Sequence, residues 1–135
     1  MDKKLLYLHL ASVQPQNSGG LNTTLLQVFS MCNAFASAGY DVTLAMQKNN
    51  DFERNIQMFI NNSFKNGISF KVETWNQKSN RLFINKIMVK RSIMQIVKEN
   101  KPQLIFTREA YILGDLTKFN IPLILKFQMQ MDFSI

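Results

Sequence analysis

Gly19 and Gly20 stand directly before a stretch with helical spacing, and paired glycines in that place can turn backbone N–H groups toward a phosphate. The first amides of a helix lack partners and sit at the positive end of its dipole, so negative charge is favoured there. A glycine turn that simply admits the chain to a helix is the plain alternative. Arg108 and Glu109 form a second candidate, able to contact a phosphate or a hydroxyl-bearing acceptor, or to pair with each other or a neighbour at the surface. Nucleophile and metal sets are another matter. His9 is the only histidine and lies in an apolar run, while Cys32 is the only cysteine and falls on an apolar helical stripe. Both are read as structural residues, and neither a metal nor a cofactor is expected.

The better-known nucleotide loops do not fit. A dinucleotide fingerprint needs G-x-G-x-x-G and an acidic residue near the end of the second strand, whereas Asn22 and Thr23 follow the glycine pair and Met46-Gln47 end that strand. A Walker loop needs G-K-[ST], which the chain lacks. A phosphoacceptor switch domain needs acidic residues where Ala11-Ser12 and Trp75-Asn76 stand.

The elements that must position these residues follow from the period of the apolar pattern. Residues 4 to 10 form a nearly continuous apolar run, as in a strand buried on both faces, and a turn-rich stretch from Ser12 to Gly20 follows. Leu25, Val28, Phe29, Cys32, Phe35 and Ala36 then lie on one helical stripe closed by Gly39. A second strand spans Asp41 to Met46, and a second helix carries Phe52, Ile56, Phe59 and Ile60 and ends near Gly67. Ile68 to Trp75 alternates as a third strand, and Arg81 to Asn100 reads as a third helix stopped by Pro102. Leu104 to Phe106, Tyr111 to Phe119 and Ile121 to Phe127 give a fourth strand, a short helix and a fifth strand. Such alternation implies parallel pairing through right-handed crossovers. The expected fold is a Rossmann-like three-layer α/β sandwich with strand order 3-2-1-4-5, and ligands should bind beyond the carboxyl ends of strands 1 and 4, where the order reverses.

The 135 residues suffice for one domain, and 46% hydrophobic with 19% charged residues is a globular composition. No apolar run approaches the ~18 residues of a membrane-crossing helix, and the short run after Met1 to Lys4 reads as a buried strand rather than a signal peptide. One cysteine fits a reducing compartment, so a cytoplasmic address is expected. The formal net charge of +7 favours anionic partners. Arg81, Lys86, Lys90, Arg91 and Lys98 lie within residues 81 to 100, flanked by Lys78 and Lys101 and opposed there only by Glu99. A basic amphipathic helix of that kind can lie on an anionic membrane, which would make the chain peripheral to the inner face; a core-facing stripe with a solvated lysine side is the plain reading. Aromatic stacking platforms do not accompany these charges, so nucleic acid is not expected. The apolar alternation of Phe127, Met129, Met131, Phe133 and Ile135 invites self-association.

Three phrases together resemble the glycosyltransferases of family 4, which have the two-domain GT-B fold. The run Pro15 to Gly20 with Leu21, leading into a helix closed by Ala38-Gly39-Tyr40-Asp41-Val42-Thr43, is similar to that family's glycine loop and "G-H-x-V-T" phrase, with Tyr40 in place of the histidine. Lys101-Pro102-Gln103-Leu104-Ile105-Phe106-Thr107-Arg108-Glu109 resembles its "P-D-[IV]-[IV]-[HY]-T-R" segment, and Ile121-Pro122-Leu123-Ile124-Leu125 its "[GK]-I-P-[VL]-[IV]" strand. The resemblance implies the N-terminal, acceptor-binding half of an enzyme that moves a sugar from a nucleotide-sugar to a hydroxyl acceptor, lipid-linked or polysaccharide. It also implies that Gly19 and Gly20 approach the donor diphosphate and that a C-terminal donor-binding domain, absent from these residues, holds the nucleotide. The family places a histidine just after the fifth strand, where this chain has Gln128. Glutamine can hydrogen-bond a substrate but cannot act as a general base, so no catalytic residue is assigned and the half is expected to be inactive alone. A non-enzymatic basic α/β module binding an anionic membrane or nucleic acid is the alternative.

Overall fold

A computed structural model describes residues 3–10, 23–76, 82–107, 116–119 and 121–125 of the chain. Among these residues five strands, β1 (Lys3–His9), β2 (Tyr40–Lys48), β3 (Lys71–Asn76), β4 (Leu104–Thr107) and β5 (Leu123–Leu125), alternate with three helices, α1 (Thr23–Ser37), α2 (Phe52–Ser63) and α3 (Leu82–Asn100). A 3-10 turn at Thr117–Phe119 precedes β5. All four pairings are parallel, and the sheet order is β3-β2-β1-β4-β5, the expected Rossmann-like arrangement.

Strand side chains alternate between two cores. Leu5, Tyr7, Val42, Leu44, Met46 and Phe106 face α1 and α2, where they meet Leu25, Val28, Phe29, Cys32, Phe52, Ile56 and Phe59. Leu6, Leu8, Ala45, Trp75 and Ile105 face α3 and meet Val89, Ile93, Ile96 and Val97. The helical residues of each set recur at spacings of three, four and seven, which is why one stripe of each helix is buried. Burying Leu, Ile, Val or Phe from both sides stabilises the sheet by about 1.5 to 3 kcal/mol per side chain.

The helix ends follow local chemistry. α1 stops at Gly39, whose φ of 101° suits only a residue without a side chain. α3 stops at Lys101, which enters the left-handed region at φ 47° while its N–H donates to the Val97 carbonyl at 3.0 Å. Pro102 follows and bars further helix.

Several boundaries differ from the sequence expectation: β2 runs Tyr40–Lys48 rather than Asp41 to Met46, β5 begins at Leu123 rather than Ile121, and two further differences have a visible cause. The second helix ends at Ser63, before Gly67, because Phe64 leaves helical geometry at φ −131° and packs its ring on Phe29 at 5.7 Å; Gly67 serves the following turn at φ 82°. The third strand begins at Lys71 rather than Ile68. Ile68 and Phe70 still pack on the α1/α2 core, but the Ser69 N–H is taken by the Asn33 side-chain oxygen at 2.9 Å instead of a neighbouring strand.

Candidate functional site

The carboxyl edge of the sheet is where ligands bind in folds wound this way, at the point where chain order reverses. That point lies between β1 and β4, whose paired residues run from Leu5↔Leu104 to Leu8↔Thr107. Thr107 is fully buried, and its hydroxyl donates to the Leu8 carbonyl at 3.4 Å, tying the two strand ends together. His9, also buried, ends β1 beside Met46 of β2. Its place at the core edge agrees with a structural reading of the lone histidine.

Gly19 and Gly20, Arg108 and Glu109, and Gln128 all lie outside the described residues, so their geometry is not stated. The strands that precede the first two pairs are fixed. β1 ends at His9, β4 at Thr107, and Arg108 is the next residue after the buried threonine. Tyr40, which stands at the family's histidine position, is half-buried and packs edge-on against Phe35 at 6.0 Å.

Further along the same edge, Lys48 at the end of β2 pairs with Glu53 of α2 at 2.6 Å. Hydrogen bonding from Lys48, reinforced by a backbone N–H, lowers the Glu53 pKa from its ordinary value. On the α3 face, Gln47 and Trp75 are register partners on adjacent strands. Trp75 is 6% exposed, and its indole N–H is buried without a hydrogen-bond partner among the described residues. A donor left so costs about 1 to 3 kcal/mol. The sequence reading places Trp75 at the end of the third strand but does not single it out, because nothing in residue type or spacing shows that its indole N–H is buried away from an acceptor.

The opposite, amino edge holds a groove of about 210 Å³ lined by Lys4, Asp41, Thr43, Lys71, Glu73 and Asn100, among others. The Asn100 side-chain nitrogen donates to the Glu73 carboxylate and to the Ile96 carbonyl, both at 2.9 Å, so its polar groups close on one another. The sequence signal for it was the alternation of Lys71 with Glu73 and of Asp41 with Thr43 on one strand face each.

On α3, Arg91, Gln95 and Lys98 are exposed and recur at spacings of four and three, so the outward face carries two of the basic residues. Lys90 is half-buried. Cys32 is fully buried, and loss of solvation pushes its thiol from the ordinary 9.0 to about 12, which makes it inert. Among the described residues no group of three or more His, Cys, Asp or Glu could hold a metal ion, and no helix is long and apolar enough to cross a membrane.

No family model matches the chain, and no curated protein matches it in sequence. Solved structures do match in shape. The C-terminal domain, residues 78–226, of a hydrogenase from Pyrococcus furiosus superposes with a TM-score of 0.56 at 16% identity, covering 93% of this chain and 92% of that one. A second structure of that domain, residues 83–215, gives a TM-score of 0.54 at 16% identity with 93% and 94% covered. At that identity the likeness is one of fold alone.

Proposed function

We propose that the chain is the N-terminal, acceptor-binding half of a GT-B glycosyltransferase, working at the carboxyl edge of β1 and β4. The observation that carries the reading is the adjacency of those two strands, tied by the Thr107 to Leu8 hydrogen bond. The two segments with chemistry in the sequence, Gly19-Gly20 and Arg108-Glu109, follow those strands and no others. Two loops issuing from neighbouring strand ends at a switch point can address one ligand from both sides. The three ordered phrases that resemble glycosyltransferase family 4 support the same assignment, with the glycine amides toward the donor diphosphate and Arg108, Glu109 and Gln128 toward the acceptor. The exposed Arg91 and Lys98 of α3 support a peripheral position on an anionic membrane, at the inner face for a cytoplasmic chain.

By itself the half holds a nucleotide-sugar weakly. A few solvent-exposed amide hydrogen bonds contribute about 0.5 to 1.5 kcal/mol each, against about 4 kcal/mol or more for immobilising a ligand. Amide-resolved NMR titration with uridine and guanosine diphosphate sugars, run beside a turnover assay, tests this. The expected result is millimolar binding that shifts amides of residues 17 to 23, with no product. Micromolar affinity or sugar transfer by residues 1 to 135 overturns the half-enzyme reading, and unmoved amides at millimolar ligand overturn the glycosyltransferase reading.

A further inference from the structure

Trp75 is the only tryptophan in a chain with eleven phenylalanines. Phenylalanine fills core space with no polar atom to satisfy, and it does so at Phe29, Phe52, Phe59, Phe70 and Phe106. At Trp75 the chain instead buries an indole N–H that no group among the described residues accepts. The position is not an arbitrary point in the core. It is the last residue but one of β3, at the carboxyl edge where ligands dock in sheets of this order. Gln47, its register partner on β2, falls on the same face by strand alternation with Ala45 and Trp75, and its amide can both donate and accept.

We propose that the Trp75 indole N–H, beside Gln47, is the hydrogen-bond donor of a subsite at the carboxyl edge of β3 for a neutral, hydroxyl-bearing ligand, namely a saccharide unit. Charge decides between a sugar hydroxyl and a phosphate. Both groups of the pair are neutral, and among the described residues the ammonium next in sequence to Gln47, that of Lys48, falls on the opposite face by alternation and is held by Glu53. A hydroxyl oxygen accepts from a neutral donor without a counter-charge, whereas phosphate sites draw on cations or helix amides. The inference rests on the acceptor-binding reading above and extends it. β3 is two strands from β1, or about 10 Å, so this subsite takes an acceptor unit remote from the one at the β1/β4 switch point.

A single tryptophan makes the test direct, because emission under excitation that selects tryptophan over the three tyrosines reports Trp75 alone. The full chain is titrated with malto-, cello- and chitotetraose, and in parallel with inorganic pyrophosphate. A saturable emission shift with at least one oligosaccharide and none with pyrophosphate is expected. Calorimetry should show that Trp75→Phe weakens that oligosaccharide at least tenfold, with a urea midpoint no lower than that of the unaltered chain. Oligosaccharide binding without an emission change, equal binding by Trp75→Phe, a response to pyrophosphate alone, or no response at all overturns the proposal. Should Trp75→Phe fold poorly, the single indole ¹⁵N–¹H resonance of the unaltered protein supplies the reading: it must shift as the oligosaccharide saturates, and an unmoved resonance overturns the subsite. A shift at Trp75 with unmoved amides at residues 17 to 23 sinks the glycosyltransferase reading and keeps the subsite, while the converse sinks the subsite alone.

Discussion

The two faces of the sheet are built from different materials. Against α1 and α2 the core is aromatic. Phe29 meets Phe59 at 5.0 Å and Phe70 at 5.1 Å, both edge to face, and Phe64 at 5.7 Å. Against α3 the core is aliphatic, with Val89, Ile93, Ile96 and Val97 over Leu6, Leu8 and Ile105. Three polar features lie on the α3 side. They are the orphaned indole of Trp75, the groove around Asp41 and Glu73, and the outward Arg91 and Lys98. One face fixes the sheet, and the other is where chemistry has room.

The largest effect expected from that contrast is at Phe29. Phe29→Ala should destabilise by about 3 to 5 kcal/mol, because it opens a cavity and removes aromatic contacts worth about 0.5 to 1.5 kcal/mol each beyond their area. Ile93→Ala, equally buried on the α3 face, loses no ring pairs and should fall toward the lower part of the range of about 2 to 5 kcal/mol for such truncations. Urea denaturation of both variants measures the difference. Equal losses, or a larger one at Ile93, would erase the distinction between the faces.

Next in size is the alkaline response of Cys32, at the centre of the aromatic face. Its folded pKa of about 12 lies above its ordinary 9.0, so the folded state keeps a proton that the unfolded state releases. Stability from this group is therefore whole below pH 9 and declines as the pH rises toward 12. By linkage the decline reaches about 4 kcal/mol at its full extent. Cys32→Ala lacks the thiol and should show a shallower alkaline fall in chemical-denaturation midpoints. Parallel curves for the two proteins would mean that the thiol is hydrated in the folded state, and the aromatic face would then not be dry.

The fold was legible in sequence because period and punctuation agreed. Val28, Phe29 and Cys32 announce a helix stripe, Gly39 closes it, and the strand expected from Asp41 to Met46 starts one residue after Tyr40 opens the ladder. What escaped depended on hydrogen bonds between distant residues. Asn33 takes the Ser69 N–H across 36 positions, so the alternation from Ile68 overstated the third strand. The site was legible only as chemistry attached to two strands. Gly19 and Arg108 stand out by residue type, but nothing local in Thr74-Trp75-Asn76 indicates that the Trp75 indole N–H is buried without a hydrogen-bond partner among the described residues.

A smaller effect is expected at the outward side of α3. Each Lys or Arg close to an anionic bilayer contributes about 1 kcal/mol, and the contribution falls with added salt. Co-sedimentation with vesicles containing phosphatidylserine should be detectable at low salt, lost at high salt, and reduced several-fold in the double variant Arg91→Glu, Lys98→Glu. Binding absent at low salt, or unchanged in the double variant, would reduce that face to a solvated helix side and remove the support it lends to a membrane position.

The smallest effect separates the ends of two helices on opposite faces. α1 closes on Gly39 at φ 101° and α3 on Lys101 at φ 47°, so the α3 end holds a side-chain-bearing residue where glycine is the usual occupant. The left-handed conformation costs a residue with Cβ about 1 to 2 kcal/mol, offset in part by the extra freedom glycine has in the unfolded chain. Lys101→Gly should therefore stabilise by less than about 1 kcal/mol, keeping the N–H bond to Val97 that closes the helix. Gly39→Ala should destabilise by about 1 to 2 kcal/mol, although no atom within 4 Å would meet the added methyl, because the backbone angle alone opposes it. Paired urea titrations read both signs. A destabilising Lys101→Gly would mean that the lysine side chain has a stabilising partner at the α3 end, and the charged groove beside Asn100 and Pro102 would then be the place to look for it.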